Sequence, residues 1–364
     1  MLARSNTPTV CRFLNRNAVG LTTGIFKRGA HLDSARPRLD RPRVTFPKLR
    51  AADAKAALAV LSRGLLHAWR PILVQIVITQ RCNLDCGYCN EYDKVSAPVP
   101  AAMMRARIDE LARLKTAIVT LTGGEPFLHP DLVGLVAYVK ERGMLPLLIT
   151  NGYLMTAETI RALGEAGLYG LQISIDNIRP NETSKKSLKV LLPKLRVLAE
   201  NATFQVRLNS VLGSGPPEEA IEVTQTALDL GFDSACAILH DHGGQLVPLD
   251  ARARLVYARV QGMIRRTPFH LNDDFQLELL DRGALDWKCR AGARYLYVCE
   301  EGLVHLCSQQ RGYPGTRLAD YTDDDCRREF YSPKSCARTC TLPCVHHASS
   351  MDRYRSQDPA RAAS

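Results

Sequence analysis

From residue 73 onward the chain alternates short apolar runs with stretches in which apolar residues recur every three or four positions. Leu73–Thr79 is strand-length, rich in β-branched side chains and broken internally only by Gln75. Helical spacing follows over Ala102–Lys115. The pair then repeats, with strands predicted at Ala117–Leu121, Leu145–Ile149, Gly170–Ile175, Phe204–Leu212 and Ser234–Leu239. The helices between them are predicted at Asp131–Arg142, Ala157–Ala166, Lys185–Glu200 and Glu218–Leu230. Apolar strands separated by helices predict an α/β fold with parallel strands covered on both faces. Six β/α units suit a barrel, partial or complete, better than a short doubly wound sheet. Functional groups are then expected at the carboxyl ends of the strands. Ahead of the first strand, Leu58, Leu61, Leu65 and Trp69 space a helix over residues 51–69 that would close one end of the core.

Charge changes this picture little. The 364 residues carry a net +11, but residues 1–50 hold eleven Lys and Arg against two Asp, so +9 lies there and the rest is nearly balanced. Basicity confined to a leader is no signature of a nucleic-acid-binding body, and no basic helix with interleaved aromatics is present. The leader suits a transit peptide, an unordered extension or a misplaced start codon. No uncharged apolar run approaches the roughly 18 residues that span a bilayer.

The twelve cysteines change it more. A secreted disulfide scaffold is excluded by chain length, by the lack of an apolar signal core, and by clustering. Cys82, Cys86 and Cys89 form one group; Cys289, Cys299, Cys307, Cys326, Cys336, Cys340 and Cys344 form another. Three thiolates on one short loop suit three irons of a [4Fe–4S] cube, which four cysteines normally complete. With no fourth nearby, one iron is left open to an outside ligand. Zinc normally asks for paired C-x-x-C spacings, of which this loop has one, and stands as the alternative.

C-x-x-x-C-x-aromatic-C directly after the first strand of a β/α repeat resembles the signature of the radical S-adenosylmethionine (SAM) superfamily. The resemblance covers roughly residues 73–240 and implies a partial TIM barrel, (β/α)6, with a SAM-binding [4Fe–4S] cluster on Cys82, Cys86 and Cys89. It places Tyr88 near the adenine and makes Gly123-Gly124-Glu125 the motif for the SAM amino group. It points to Asn151, Ser174, Asp176, Arg207 and Asn209 as further SAM-binding positions, though Asp176-Asn177-Ile178 departs from the Asp-Gly common in relatives. In such enzymes a reduced cluster cleaves SAM to methionine and a 5′-deoxyadenosyl radical, which takes hydrogen from a C–H bond. A low-potential donor such as a flavodoxin or ferredoxin, and a reducing, cytoplasmic setting, follow from that chemistry.

Cys289-x12-Gly302-x4-Cys307 is similar to the opening of the SPASM and twitch auxiliary iron–sulfur domains, and Cys336, Cys340 and Cys344 are candidates for the remaining ligands. The full SPASM spacing is absent, so one auxiliary [4Fe–4S] cluster is expected; zinc stays open here as well. A hairpin turning at Glu300-Glu301-Gly302 would bring Cys289 and Cys307 together; His346 and His347 read as a solvated pair, with replacement of a cysteine ligand as the alternative. The expected organisation is a leader (1–50), a helix (51–70), the barrel (71–265), a small cysteine-rich C-terminal domain (266–350) and a tail (351–364). The substrate is expected to be a small molecule or a peptide. A non-catalytic iron–sulfur or zinc scaffold is the competing class. Gly243-Gly244, with His240 and His242, is a candidate substrate-facing loop.

Overall fold

The computed structural model describes residues 51–89, 92–264 and 275–352; the leader, most of the tail and residues 265–274 lie outside the described residues. Helix α1 (Ala51–Leu66) precedes strand β1 (Leu73–Thr79), whose bounds match the apolar run. Five further units follow: α2 (Ala101–Arg113) and β2 (Ile118–Gly123), α3 (Leu132–Glu141) and β3 (Leu145–Thr150), α4 (Ala157–Ala166) and β4 (Gly170–Ser174), α5 (Leu188–Asn201) and β5 (Gln205–Leu212), α6 (Glu219–Asp229) and β6 (Asp233–Ile238). Neighbouring strands from β1 to β6 all pair in parallel.

The period-two alternation of β1 decides which face goes where. Val74, Ile76 and Ile78 point outward and pack, fully buried, with Met104, Ile108 and Leu111 of α2. Leu188, Leu191, Leu195 and Leu198 give α5 the same kind of stripe, each side chain contributing roughly 1.5–3 kcal/mol by leaving water. Val77, on the other face of β1, packs with residues of the cysteine-rich segment.

That segment is part of the same sheet. Helices α7 (Ala251–Met263) and α8 (Phe275–Arg282) lead into strand β7 (Tyr295–Val298), which pairs in parallel with β1 in the register Leu73–Tyr295 to Ile76–Val298. Strands β8 (Leu303–His305) and β9 (Pro314–Arg317) add antiparallel to it. The sheet therefore runs β6-β5-β4-β3-β2-β1-β7-β8-β9, open rather than closed, and is a partial barrel. The β7–β8 turn carries Gly302 at φ +81°, a conformation glycine adopts without steric cost. Helices α9 (Asp323–Tyr331) and α10 (Pro343–Ser350) complete the described chain.

Helix α1 lies across the amino ends of the strands: Arg63 donates to the Thr116 carbonyl (2.9 Å) and the Gly143 carbonyl (2.7 Å), just ahead of β2 and β3. The opposite, carboxyl ends are left to the loops that carry the sequence motifs.

Candidate functional site

The cysteine loop starts where β1 ends. Cys82 N–H donates to Asp93 O and Asp93 N–H to Gln80 O, both at 2.9 Å, so the chain leaving the loop pairs back onto the chain entering it. The Lys94 ammonium donates to the Leu84 carbonyl at 2.7 Å, closing the loop from outside. Cys86 is buried at 3% exposure, and Cys82 and Cys89 are half-buried.

Donors aim at the sulfurs. Cys82 Sγ accepts from Leu84 N–H (3.4 Å) and from Asn151 Nδ2 (3.7 Å). Cys86 Sγ accepts from Lys185 N–H (3.3 Å) and lies 3.8 Å from the Ser184 hydroxyl. Hydrogen bonds of this kind favour thiolate and are the partners that cluster sulfurs take. Burial pushes the Cys82 thiol above its ordinary pKa, with Glu125 and Cys89 adding to it, so a bound cation is the natural stabiliser of its thiolate.

The Gly123-Gly124-Glu125 motif leaves β2 beside this loop. Gly123 sits at φ +141°, and a Cβ on it would overlap the Thr79 carbonyl oxygen; one on Gly124 would overlap the carbonyls of Gln80 and Arg81. The close approach these glycines permit is thus to the strand feeding the cysteine loop, sealed by Gly124 N–H to Thr79 O (2.8 Å) and Glu125 N–H to Arg81 O (2.9 Å). Gly124→Ala should push that strand, and Cys82 with it, out of place. Reconstituted protein is expected to hold about four fewer irons, one cube, with unchanged far-ultraviolet circular dichroism.

Glu125 turns inward instead of outward. Its fully buried carboxylate accepts from Phe127 N–H (3.0 Å), the Thr150 hydroxyl (2.7 Å) and Asn151 N–H (2.8 Å), tying β2 to the end of β3. Burial raises its pKa and these three bonds oppose the rise. A carboxylate has about four acceptor positions, so one more donor can be taken. Asn151 continues the chain of contacts, donating to Asn83 Oδ1 at 2.8 Å.

At the end of β4, Asp176 is buried and its Oδ2 accepts from the Tyr88 hydroxyl and the Ser184 hydroxyl, each at 2.7 Å, while its Oδ1 has no hydrogen-bond partner. The Lys186 ammonium donates to Tyr88 Oη at 2.7 Å and lies 4.0 Å from Asp176. Ser184, Lys185 and Lys186, which between them contact Cys86 and Tyr88, escaped the sequence reading, which starts a helix at Lys185; α5 begins at Leu188, and the three residues before it are left to the loop. Ser174 pairs with Asn209 across β4–β5. Arg207 sits one row lower, 3.9 Å from Asp233 at the start of β6, so it lies inside β5, which ends at Leu212 as its apolar run predicts.

The second cysteine group converges as well. No disulfide links the described cysteines. Cys289, Cys307 and Cys340 are buried in one cluster with Tyr295 and Tyr297, Cys344 packs against it, and Cys336 lies close enough to influence Cys289 and Cys340 electrostatically. Cys289 accepts from Ala291 N–H, Cys307 from Gln309 N–H and Cys340 from Leu342 N–H, the same i to i+2 pattern as Cys82 with Leu84. Burial pushes Cys289 up to about 11 and Cys307 up to about 12. Cys299 is buried in the same cluster, whereas Cys326 belongs to the outer core.

His346 is not solvated: it is 3% exposed, stacked on Phe275 at 3.6 Å and edge-on to Trp287. Gly243-Gly244 also has an unexpected neighbour. Gly244 O accepts from Thr341 N–H (3.0 Å) and Leu246 N–H donates to Thr339 O (2.8 Å), so this loop packs on the Cys340 segment. The sheet's inner face lines a cavity of about 430 Å3 that includes Gln75, Gln172, Arg207, Asn209, Cys344 and His347.

Residues 76–243 match the model of the radical SAM superfamily. The chain is 33% identical over 123 residues to a Fe-coproporphyrin III synthase of Methanosarcina barkeri, covering 33% of this chain and 31% of that protein. It is 37% identical over 107 residues to a PqqA peptide cyclase of Rhodopseudomonas palustris, covering 29% and 28%. It thus spans about a third of the length of these curated relatives. In structure it is similar to Streptococcus suis SuiB bound to the precursor peptide SuiA, with a TM-score of 0.57 at 16% identity over 77% of this chain and 69% of that one, a likeness of fold. The matched segment, 168 of the 364 residues, begins inside β1 and ends just past β6, enclosing the cysteine loop and the loops beside it, and it is over this segment that the chain is similar to the radical SAM superfamily.

Proposed function

We propose that this protein is a radical SAM enzyme that cleaves SAM reductively at a [4Fe–4S] cluster held by Cys82, Cys86 and Cys89, and removes a hydrogen atom from a C–H bond of its substrate. The observation that carries this reading is the set of three cysteines on one loop, with N–H donors aimed at Cys82 and Cys86, joined to the Gly-Gly-Glu turn by β1 itself. When bound, the reduced cluster and SAM supply the one-electron cleavage and the hydrogen abstraction.

The chain's own residues have three tasks. The Leu84, Asn151 and Lys185 donors hold the sulfurs of Cys82 and Cys86. Gly123 and Gly124 keep the β2 turn against the cluster loop, and the buried Glu125 fixes the ends of β2 and β3, so that Asn151 is presented in one orientation. The cavity on the inner face of the sheet, lined by Gln75, Gln172 and Asn209, would hold the substrate away from bulk water. Cys289, Cys307, Cys340 and Cys344, with Cys336 beside them, would carry an auxiliary cluster, and Cys344 lines that same cavity.

The relatives include a peptide cyclase and a Fe-coproporphyrin III synthase, which supports a peptide or a small organic molecule as the substrate. A low-potential flavodoxin or ferredoxin would deliver the electron, in a reducing compartment such as the cytoplasm; no described helix is long and apolar enough to cross a membrane. The test is anaerobic reconstitution followed by SAM and a strong reductant. About eight irons per chain, from two cubes, and steady formation of 5′-deoxyadenosine are expected. Zinc in the purified protein with no 5′-deoxyadenosine would turn the reading toward a non-catalytic scaffold.

A further inference from the structure

We propose that Lys186 is a positioning residue that sets the reduction potential of the cluster on the Cys82–Cys89 loop, with Asp176 as its counterweight. The proposal rests on the cluster assignment above. Residues 183–186 form a clasp over that loop: Gly87 N–H donates to Thr183 O (3.0 Å), Lys185 N–H to Cys86 Sγ (3.3 Å), and the Lys186 ammonium to Tyr88 Oη (2.7 Å). The ammonium therefore lies against Tyr88, one of the two residues that separate Cys86 from Cys89, 5.0 Å from its ring centroid.

A lysine in such a place calls for a physical reason. Burial works against its charge, yet Tyr88, Asp176 and Cys86 outweigh burial and hold it protonated well above the ordinary lysine range. Its nearest carboxylate is 4.0 Å away and already takes two hydroxyl donors on the facing oxygen, so the pair is loose and the cation is only partly neutralised. A structural ion pair would be bidentate or direct, as Arg294 with Asp352 is elsewhere in this chain. A positive charge beside a sulfur ligand favours the added electron when the cluster is reduced by one electron from an external low-potential donor. Net charge and hydrogen bonds around the sulfurs are established controls of cluster potential.

The experiment is an electron-paramagnetic-resonance-monitored redox titration of the reconstituted, SAM-free protein. Lys186→Met should shift the loop cluster's midpoint downward by about 59 mV, a tenfold lower one-electron reduction constant. Asp176→Asn should shift it upward, and Lys186→Arg should leave it within a third of that displacement. A purely structural role would lower iron content in both variants without moving their midpoints in opposite directions. Midpoints unchanged in both charge variants, or moved in the same direction, overturn the proposal. If Lys186→Met protein takes up no iron, Asp176→Asn decides, since it removes one charge and keeps the lysine. Failure of the unaltered protein to form any cluster at the loop would instead overturn the cluster assignment itself.

Discussion

Cys86→Ala is expected to reduce 5′-deoxyadenosine formation from SAM to the level of a protein-free control. Cys86 is the middle of the three loop cysteines and is almost sealed from solvent. The clasp donates to it directly through Lys185 N–H. Its removal leaves two sulfurs for a cluster that needs at least three, and no other cysteine is on the loop to replace it. Cys307→Ala is the matching control: it should lower the iron count by about four and leave SAM cleavage in place, because the tail cysteines meet around Tyr295 rather than at the loop. Unaltered cleavage by the Cys86 variant would refute the first assignment. Full iron in the Cys307 variant would refute the second.

Arg294→Ala is expected to lower stability by about 3–5 kcal/mol, the usual result of stranding one partner of a buried ion pair. Its thermal midpoint should fall by on the order of 10 °C. Arg294 and Asp352 are 1% and 0% exposed. Nε meets Oδ2 at 2.6 Å and Nη2 meets Oδ1 at 2.9 Å. The remaining guanidinium donors go to the carbonyls of Gly64 (2.6 Å), Arg70 (3.0 Å) and His67, so all five N–H groups have an acceptor. One side chain thereby ties α1, the entry to β1, the start of β7 and the second residue after α10. Arg294→Met combined with Asp352→Leu should recover part of the loss, because it removes the stranded charge but not the three carbonyls left without a donor. A change below about 1 kcal/mol in the single variant, measured by chemical denaturation, would show that the clamp is not a main support of the fold.

Much of this molecule is legible because it is local. The β1 bounds follow from a run of β-branched residues, α2 and α5 from their leucine and isoleucine stripes, and the β7–β8 hairpin from a glycine that must take positive φ. The cysteine loop is legible for the same reason: its chemistry lies within eight consecutive residues.

Other features have no local signature. Glu125 reads as part of the motif for the SAM amino group, and nothing local shows that its buried carboxylate takes Thr150 and the Asn151 amide from the neighbouring strand. Arg207 is expected among the SAM-binding positions, and only the register shows that it lies inside β5 opposite Asp233 at the start of β6. His346 reads as solvated until Phe275, seventy-one positions earlier, is seen stacked on it.

The order of strands and helices, the cysteine loop and its glycine turn were thus determined by the sequence itself, since each depends on periodicity or spacing within a dozen residues. Tertiary structure decided that the cysteine-rich segment adds its strands to β1, that Lys186 stands over the cluster loop, and that Arg294 and Asp352 close the fold. Those outcomes depend on which distant backbone donors and charges meet once the sheet has formed, and burial gives them their energy only there.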